Sequence, residues 1–479
     1  MQITFNDIVF GKNDIRGKVG GDELTPELYT AIGKAFAQYI GETDVWVSVC
    51  RDARNHSPQM TEALIEGLIQ SGINVYDMGL CPTPLGYYSE YKIPNIVGTL
   101  IVTASHNPPE YNGLKMTYKK TALNEQEIAK LKEITKAGKF PTSPQKGQLK
   151  TYDIISDYIN EQLNNFKQAG HKVKVVVDSA NATGGIVGPE LYRKMGCEVV
   201  ELYSEPDGNF PNHHPNPSDE KTLADLKAKV IETKADFGIA FDGDSDRIGI
   251  VDDKGISLAG DRLMLIFALD ILSKNKKENP TFVSEVKCSQ VLYDTIEKND
   301  GCAIMWKTGH GFIKSKMKEE NALMAGEMSG HIFFKDRYYG YDDAVYAGCR
   351  FIEIVSSKKA ENPNFSVHEF INSFPQTFTS EEVRLHCPNE HKYRIVEELQ
   401  SEFASKPDVF ANKINKVITI DGVRLVFDDG FALIRASNTE PVFTLRFEAG
   451  SSDMLLNYRS KMLDIVDEKL KIIPTAIKK

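Results

Sequence analysis

The sequence predicts an α/β protein: three mixed α/β units followed by an α+β C-terminal domain with an antiparallel sheet. Three observations carry that prediction. The chain has 479 residues, and at about 150 residues per domain this corresponds to three or four domains. Through most of its length, apolar runs of strand size alternate with stretches of helical periodicity, the pattern of sheets joined by crossovers. Near the C-terminus the pattern changes to short apolar runs separated by Asp-Gly turns, which reads as an antiparallel meander.

In the first unit, Thr25-Pro26-Glu27 supplies a hydroxyl cap and a first-turn proline. Leu28, Ile32, Ala35, Phe36 and Tyr39 then recur at helical spacing. Residues 45–49 read as a buried strand, and Ser57-Pro58 opens a second helix with Leu64 and Leu68 inward and Gly72 past its end. Residues 73–76 and 96–102 are the next strands. The Lys-, Gly- and Pro-rich segment 136–150 precedes a helix over 152–166 and marks the first boundary. A second alternating unit places strands at 173–177, 198–202 and 237–241 and helices at 188–195 and 221–233. The third begins at the turn Asp252-Asp253-Lys254-Gly255, holds strands at 281–286 and 303–306, and ends near Asn362-Pro363. In the tail, runs at 417–420, 423–427, 431–434 and 442–447 precede an amphipathic helix bearing Leu455, Met462, Val466 and Leu470. The expected domains are therefore 1–151, 152–253, 254–368 and 369–479.

Composition narrows the function. A hydrophobic fraction of 41% can fill several cores, which excludes wholesale disorder. The formal net charge of −10 argues against nucleic acid or an anionic membrane as the main partner. Seven scattered cysteines with no Cys-x-x-Cys fit reduced thiols, not a disulfide framework or a zinc knuckle. The N-terminus lacks a basic region followed by an apolar one, and the most apolar stretch, 263–272, carries Asp270 and is far shorter than the ~20 residues of a membrane span. A soluble cytoplasmic protein is expected. Phosphate-binding Gly-x-x-x-x-Gly-Lys, dinucleotide-binding Gly-x-Gly-x-x-Gly and His-Glu-x-x-His motifs are absent from the sequence.

Four segments could do chemistry. Thr103-Ala104-Ser105-His106-Asn107-Pro108-Pro109 follows a strand directly, and its Asn and prolines make a stiff loop. A Ser with a His neighbour there can take or give a phosphoryl or acyl group, with Lys115 close behind. Taken alone, Ser-His-Asn reads more simply as a surface turn. Asp242-Gly243-Asp244-Ser245-Asp246-Arg247 also follows a strand, and three carboxylates at alternate positions repel one another unless a cation sits among them. All-oxygen ligation suits a hard divalent ion, Mg²⁺ in an enzyme of phosphate chemistry. A calcium EF-hand does not fit, because Arg247 stands where that loop needs Gly and Asp253 where it needs Glu. Arg435-Ala436-Ser437-Asn438-Thr439 offers a guanidinium, two hydroxyls and an amide, an inventory suited to phosphate. Gly326-Glu327-Met328-Ser329-Gly330-His331 sets a carboxylate and a hydroxyl two residues apart, able to grip sugar hydroxyls. Arg16, Arg51, Arg54, Lys287, Lys307 and His310 are further basic or phosphate-suited residues, and His213-His214-Pro215 reads as a structural loop.

With these four motifs in this order, the whole chain resembles the α-D-phosphohexomutases, specifically their bacterial phosphomannomutase/phosphoglucomutase branch. The resemblance implies four domains around a central cleft, each giving one loop. It implies that Ser105 is the phosphorylated nucleophile, and that Asp242, Asp244 and Asp246, with Ser105 beside them, hold Mg²⁺. Arg16, His106, Lys115 and Arg247 would serve proton transfer and charge balance. Lys287, His310, Glu327, Ser329 and His331 would meet the sugar, and Arg435, Ser437, Asn438 and Thr439 the non-reacting phosphate. The implied reaction interconverts hexose 6-phosphate and hexose 1-phosphate, of mannose or glucose, through a hexose 1,6-bisphosphate that also acts as activator. Small-molecule hexose phosphates would be the partners of a monomer. Asn13 stands where many members have Tyr, and Cys50 where Gly is usual. Phosphoglucosamine mutases typically carry Gln in place of Met328 and a Gly-containing phosphate loop, so the chain resembles the mannose/glucose group more closely. Phosphoglucosamine mutase activity is the alternative, together with a sugar-phosphate phosphatase using the same serine and metal.

Overall fold

Thr25 caps the helix Pro26–Ile40 as predicted, its side chain accepting from the Leu28 N–H at 3.2 Å. That helix packs on Ser57–Gln70 with the two backbones nearly touching, since a Cβ on Gly67 would lie 2.1 Å from the Thr30 carbonyl oxygen. The computed structural model describes residues 4–141, 143–167, 169–275, 278–437 and 440–471. The chain forms two compact units, one from residues up to Leu263 together with Ser329–Phe370, the other from Met264–Met328 together with the residues from Ile371 onward.

In the first unit, the N-terminal sheet runs Ile15–Lys18, Tyr111–Tyr118, Ile96–Val102, Trp46–Arg51, Asn74–Leu80 and Leu149–Thr151 in spatial order. The last four are mutually parallel and the first two antiparallel to their neighbours. Arg51 pairs with Val102, so the segments 52–54 and 103–109 leave adjacent strands at the same carboxyl end, where open α/β sheets bind ligands. The next sheet runs Ile248–Asp252, Phe237–Phe241, Lys174–Asp178 and Glu198–Leu202. Its first two strands are antiparallel and buried along their whole length. The aspartate loop 242–247 is the connection between them, anchored by the pair Phe241 and Ile248.

In the second unit, Cys302–Trp306, Thr281–Glu285 and Met324–Gly326 are parallel neighbours. A separate antiparallel sheet orders Phe378–Thr379, Val442–Ala449, Gly430–Ala436, Val423–Phe427 and Lys416–Ile418. The helices Asn389–Ser405 and Ser452–Lys471 cover it, with Leu399, Phe403, Phe427, Tyr458, Met462 and Val466 in the core. The architecture is thus four-domain, α/β in the first three domains and antiparallel in the C-terminal one, as predicted.

Some details differ from the sequence reading. The helix expected at 221–233 starts as a 3-10 turn, Glu220–Leu223, and becomes α-helical only over Ala224–Thr233. Tyr111–Tyr118 is a strand that the sequence reading does not place. The meander also gains Val383–His386, which pairs with Val442–Ala449 and whose half-exposed alternation gives a weak apolar signal. Among the described residues, no helix is long and apolar enough to cross a membrane.

Candidate active site

Ser105 sits at φ +50° in its loop, a conformation a non-glycine residue holds only when its surroundings enforce it. The enforcement is visible. Its N–H donates to Thr103 Oγ1 at 2.9 Å, and Thr103 Oγ1 donates to Asp52 Oδ2 at 2.8 Å. Arg54, fully buried, pairs through Nε with Asp52 at 3.0 Å. Its two terminal nitrogens donate to the carbonyls of Ser105, Asn107, Pro108 and Tyr111 at 2.6–3.0 Å. The guanidinium read from sequence as suited to phosphate is therefore a clamp on the serine loop. Arg54→Met should lower unfolding free energy by about 3–5 kcal/mol, because it leaves the buried Asp52 without its cation and takes the guanidinium donors from four carbonyls; urea unfolding measures this.

Ser105 Oγ donates to Asp242 Oδ2 at 2.7 Å and lies 3.1 Å from His106 Nδ1. Gly243 makes the approach of the two loops possible, since a Cβ there would stand 2.1 Å from the Ser105 carbonyl oxygen. Asp242 Oδ1 accepts from the N–H groups of Asp246 and Arg247 at 3.1 and 3.2 Å. Lys115 projects from its strand between Asp244 Oδ2, at 2.9 Å, and Asp246 Oδ2, at 2.5 Å. Arg247 Nε donates to His331 Nε2 at 3.2 Å, and His331 Nδ1 lies 3.0 Å from Ser329 Oγ. Arg16 donates to Asn107 Oδ1 at 2.8 Å and pairs with Asp14. The first unit thus brings together Ser105, His106, Lys115, Arg16, the three aspartates, Arg247, Ser329 and His331.

The electrostatics follow from burial. Asp242 is pushed well above the carboxylate range by burial and by its like-charged neighbours Asp246 and Asp244. Burial acts to raise Asp246 too, but the Lys115 ammonium overrides it and holds that carboxyl well below the usual range. Burial alone would lower Lys115, yet Asp244 and Asp246 keep it firmly protonated. Burial, with Arg247 and Arg16 nearby, pushes His106 down to about 2, so its imidazole is neutral at physiological pH.

The second unit holds the remaining candidates. Lys287 Nζ lies 3.4 Å from Glu285 Oε2 and 3.8 Å from Glu382 Oε2; burial would lower it, but these carboxylates raise it. Glu327 Oε1 accepts from the Gly309 N–H at 2.7 Å, next to His310 at the start of its helix. Asp421 Oδ2 accepts from both the Thr308 N–H and Arg435 Nε at 3.0 Å. Lys392, buried, donates to the carbonyls of Ser437 and Glu440 at 2.5 and 2.9 Å and so ties the ends of that loop. Asn438 and Thr439 lie outside the described residues.

Family models for phosphoglucomutase/phosphomannomutase match this chain in sequence order: α/β/α domain I over residues 7–142, domain II over 156–255, domain III over 259–378 and the C-terminal domain over 382–465. The chain belongs to the phosphoglucomutase/phosphomannomutase family. A phosphomannomutase/phosphoglucomutase from Pseudomonas putida is 41% identical over 467 residues, covering 96% of this chain and 97% of its own. A phosphoglucomutase from Neisseria meningitidis is 38% identical over 469 residues, covering 97% and 98%. The crystal structure of a phosphoglucomutase/phosphomannomutase family protein from Burkholderia thailandensis superposes with a TM-score of 0.89 at 35% identity, covering 99% of both chains.

Members of the phosphoglucomutase/phosphomannomutase family are metal-dependent phosphohexomutases, and the aspartate loop fits a hard cation. Asp242, Asp244 and Asp246 are buried with ligand oxygens within 4.8 Å of one another. Asp244 Oδ1 is buried without a hydrogen-bond donor, a costly state for a carboxylate unless a cation meets it, and Asp246 Oδ1 has His331 Nε2 close by, at 3.3 Å. Sequence reasoning missed Arg54 as a clamp on the serine loop in the first unit and, in the second, Asp421 as the anchor of Arg435 and Lys392 under the phosphate-suited loop. Asp421 reads in sequence only as half of an Asp-Gly turn.

Proposed function

We propose that this enzyme interconverts hexose 6-phosphate and hexose 1-phosphate, with mannose and glucose as the hexoses, through phosphorylated Ser105 and a hexose 1,6-bisphosphate. The observation that carries the reading is Ser105 Oγ, 2.7 Å from Asp242 within a buried set of three carboxylates and one lysine. Phospho-Ser105 gives its phosphoryl group to the free hydroxyl of the sugar: the bond from phosphorus to Oγ breaks, one to the sugar oxygen forms, and the proton the sugar hydroxyl gives up is balanced by one taken up at Ser105 Oγ. The other phosphate of the bisphosphate then returns to Ser105, whose hydroxyl proton has Asp242 Oδ2 and the neutral His106 Nδ1 within reach. Lys115, Arg247 and Arg16 supply positive charge to the transferring group, the largest contribution expected in phosphoryl transfer. Mg²⁺, held by Asp242, Asp244 and Asp246, would add charge neutralisation there. Ser105 is 2% exposed, so its hydroxyl itself meets little water.

In the second unit, Arg435 and Ser437, with Asn438 and Thr439, are assigned to the non-reacting phosphate. Lys287, His310 and Glu327 there, and Ser329 and His331 in the first unit, are assigned to the sugar. Asp421→Ala should raise the KM for hexose phosphate about tenfold or more, because a charged hydrogen bond of about 1.5–3 kcal/mol holds Arg435 in place; steady-state kinetics with kcat and KM separated read this out. We further place the enzyme in the cytoplasm as a monomer. A coupled assay on mannose 1-phosphate, glucose 1-phosphate and glucosamine 1-phosphate, with bisphosphate present and free phosphate measured, tests the function. Isomer interconversion with the first two supports it; free phosphate as the main product would make the enzyme a phosphatase, and preference for the third a phosphoglucosamine mutase.

A further inference from the structure

We propose that Thr83 sets the divalent-cation affinity of the aspartate loop by fixing the plane in which the Asp244 carboxylate presents its free oxygen to the ion. The inference rests on reading that loop as the cation site. Thr83 is fully buried and opens the helix Thr83–Lys92. Its Oγ1 donates to Asp244 Oδ2 at 2.7 Å, across 161 residues of sequence. Its backbone N–H donates to the Asp244 carbonyl at 2.9 Å. That N–H belongs to a helix start and has no partner within the helix, so the loop and the helix complete each other.

The Lys115 ammonium lies 2.9 Å from the same Oδ2 as an ion pair. A hydroxyl donor and a cation therefore engage Oδ2, while Oδ1 is buried with no hydrogen-bond partner. The terminal torsion of an aspartate is broad, so without Thr83 Oγ1 the plane of the carboxylate is free to turn away from the orientation that aims Oδ1 at the ion. Pro82 and Pro84 flank Thr83; their fixed φ angles and the restriction of the residue before a proline hold its backbone in place. Thr83 is a positioning residue, acting through Asp244.

The test uses the full-length protein. Mg²⁺ binding is measured by isothermal titration calorimetry, and Mn²⁺ binding by electron paramagnetic resonance, for wild type, Thr83→Val and Thr83→Ser. Groups that orient a metal's ligands typically contribute 10–100-fold to affinity. Thr83→Val should weaken binding by about that factor, Thr83→Ser should bind much as wild type does, and raising Mg²⁺ should recover turnover in Thr83→Val. A merely structural role predicts a turnover loss that added Mg²⁺ does not recover, with cation affinity unchanged, and that result overturns the inference. If Thr83→Val does not fold, Thr83→Ala removes the same hydroxyl and carries the same comparison. Cation binding by wild type with equal affinity in the hydroxyl-free variant overturns the role of Thr83 alone. No binding by wild type overturns the cation reading of the loop and this inference with it.

Discussion

Ser105→Ala should lower mutase turnover on the order of 10⁴-fold or more, the usual scale for loss of a covalent nucleophile, while the fold survives. The substitution deletes one hydroxyl and the bond it donates to Asp242. What shapes the loop does not use that oxygen: Arg54 grips the Ser105 carbonyl at 2.9 Å, and Thr103 Oγ1 accepts from the Ser105 N–H. Alanine must accept the same positive φ, but serine already carries that strain. Thermal unfolding should therefore stay close to wild type while the coupled assay falls to background. A variant that keeps a substantial fraction of wild-type turnover contradicts the assignment of Ser105.

Exhaustive chelation of divalent cations should lower turnover by at least about a hundredfold, since neutralisation of transferring phosphate by a metal is worth several kcal/mol, and Mg²⁺ should restore it. Without a cation, the three buried carboxylates depend on the Lys115 ammonium and the neighbouring Arg247, and Asp242 already sits far above its ordinary range. A dianionic phosphate brought beside them adds to the repulsion unless an ion stands between. Full activity in protein shown metal-free by elemental analysis would remove the cation from the account.

Much of the fold is legible in the sequence, and the pattern of what is not legible is physical. Phe237–Phe241 and Val423–Phe427 match the sequence reading residue for residue, because an apolar run bounded by turn residues is a local signal. The serine and aspartate loops were legible for the same reason: their chemistry is packed into six or seven consecutive residues. Lys115 was harder. Taken alone it reads as an ordinary surface lysine, and only the strand Tyr111–Tyr118 places it inside, between two aspartates 129 and 131 residues away. Arg54, Thr83 and Asp421 share that character. Each acts through a partner on another element, and a lone arginine, threonine or Asp-Gly turn carries no mark of the carbonyl, carboxylate or guanidinium it will meet. Motifs state which atoms react; long-range pairing states how they are held.

The central claim is most directly tested by following one phosphoryl group in a single turnover. Protein labelled with ³²P on Ser105 by exchange with bisphosphate is mixed with excess unlabelled hexose 6-phosphate and quenched over time. The account predicts that label leaves the protein at least as fast as steady-state turnover and appears first in hexose 1,6-bisphosphate. Label that stays on Ser105 while product forms, or that emerges mainly as inorganic phosphate, would contradict it.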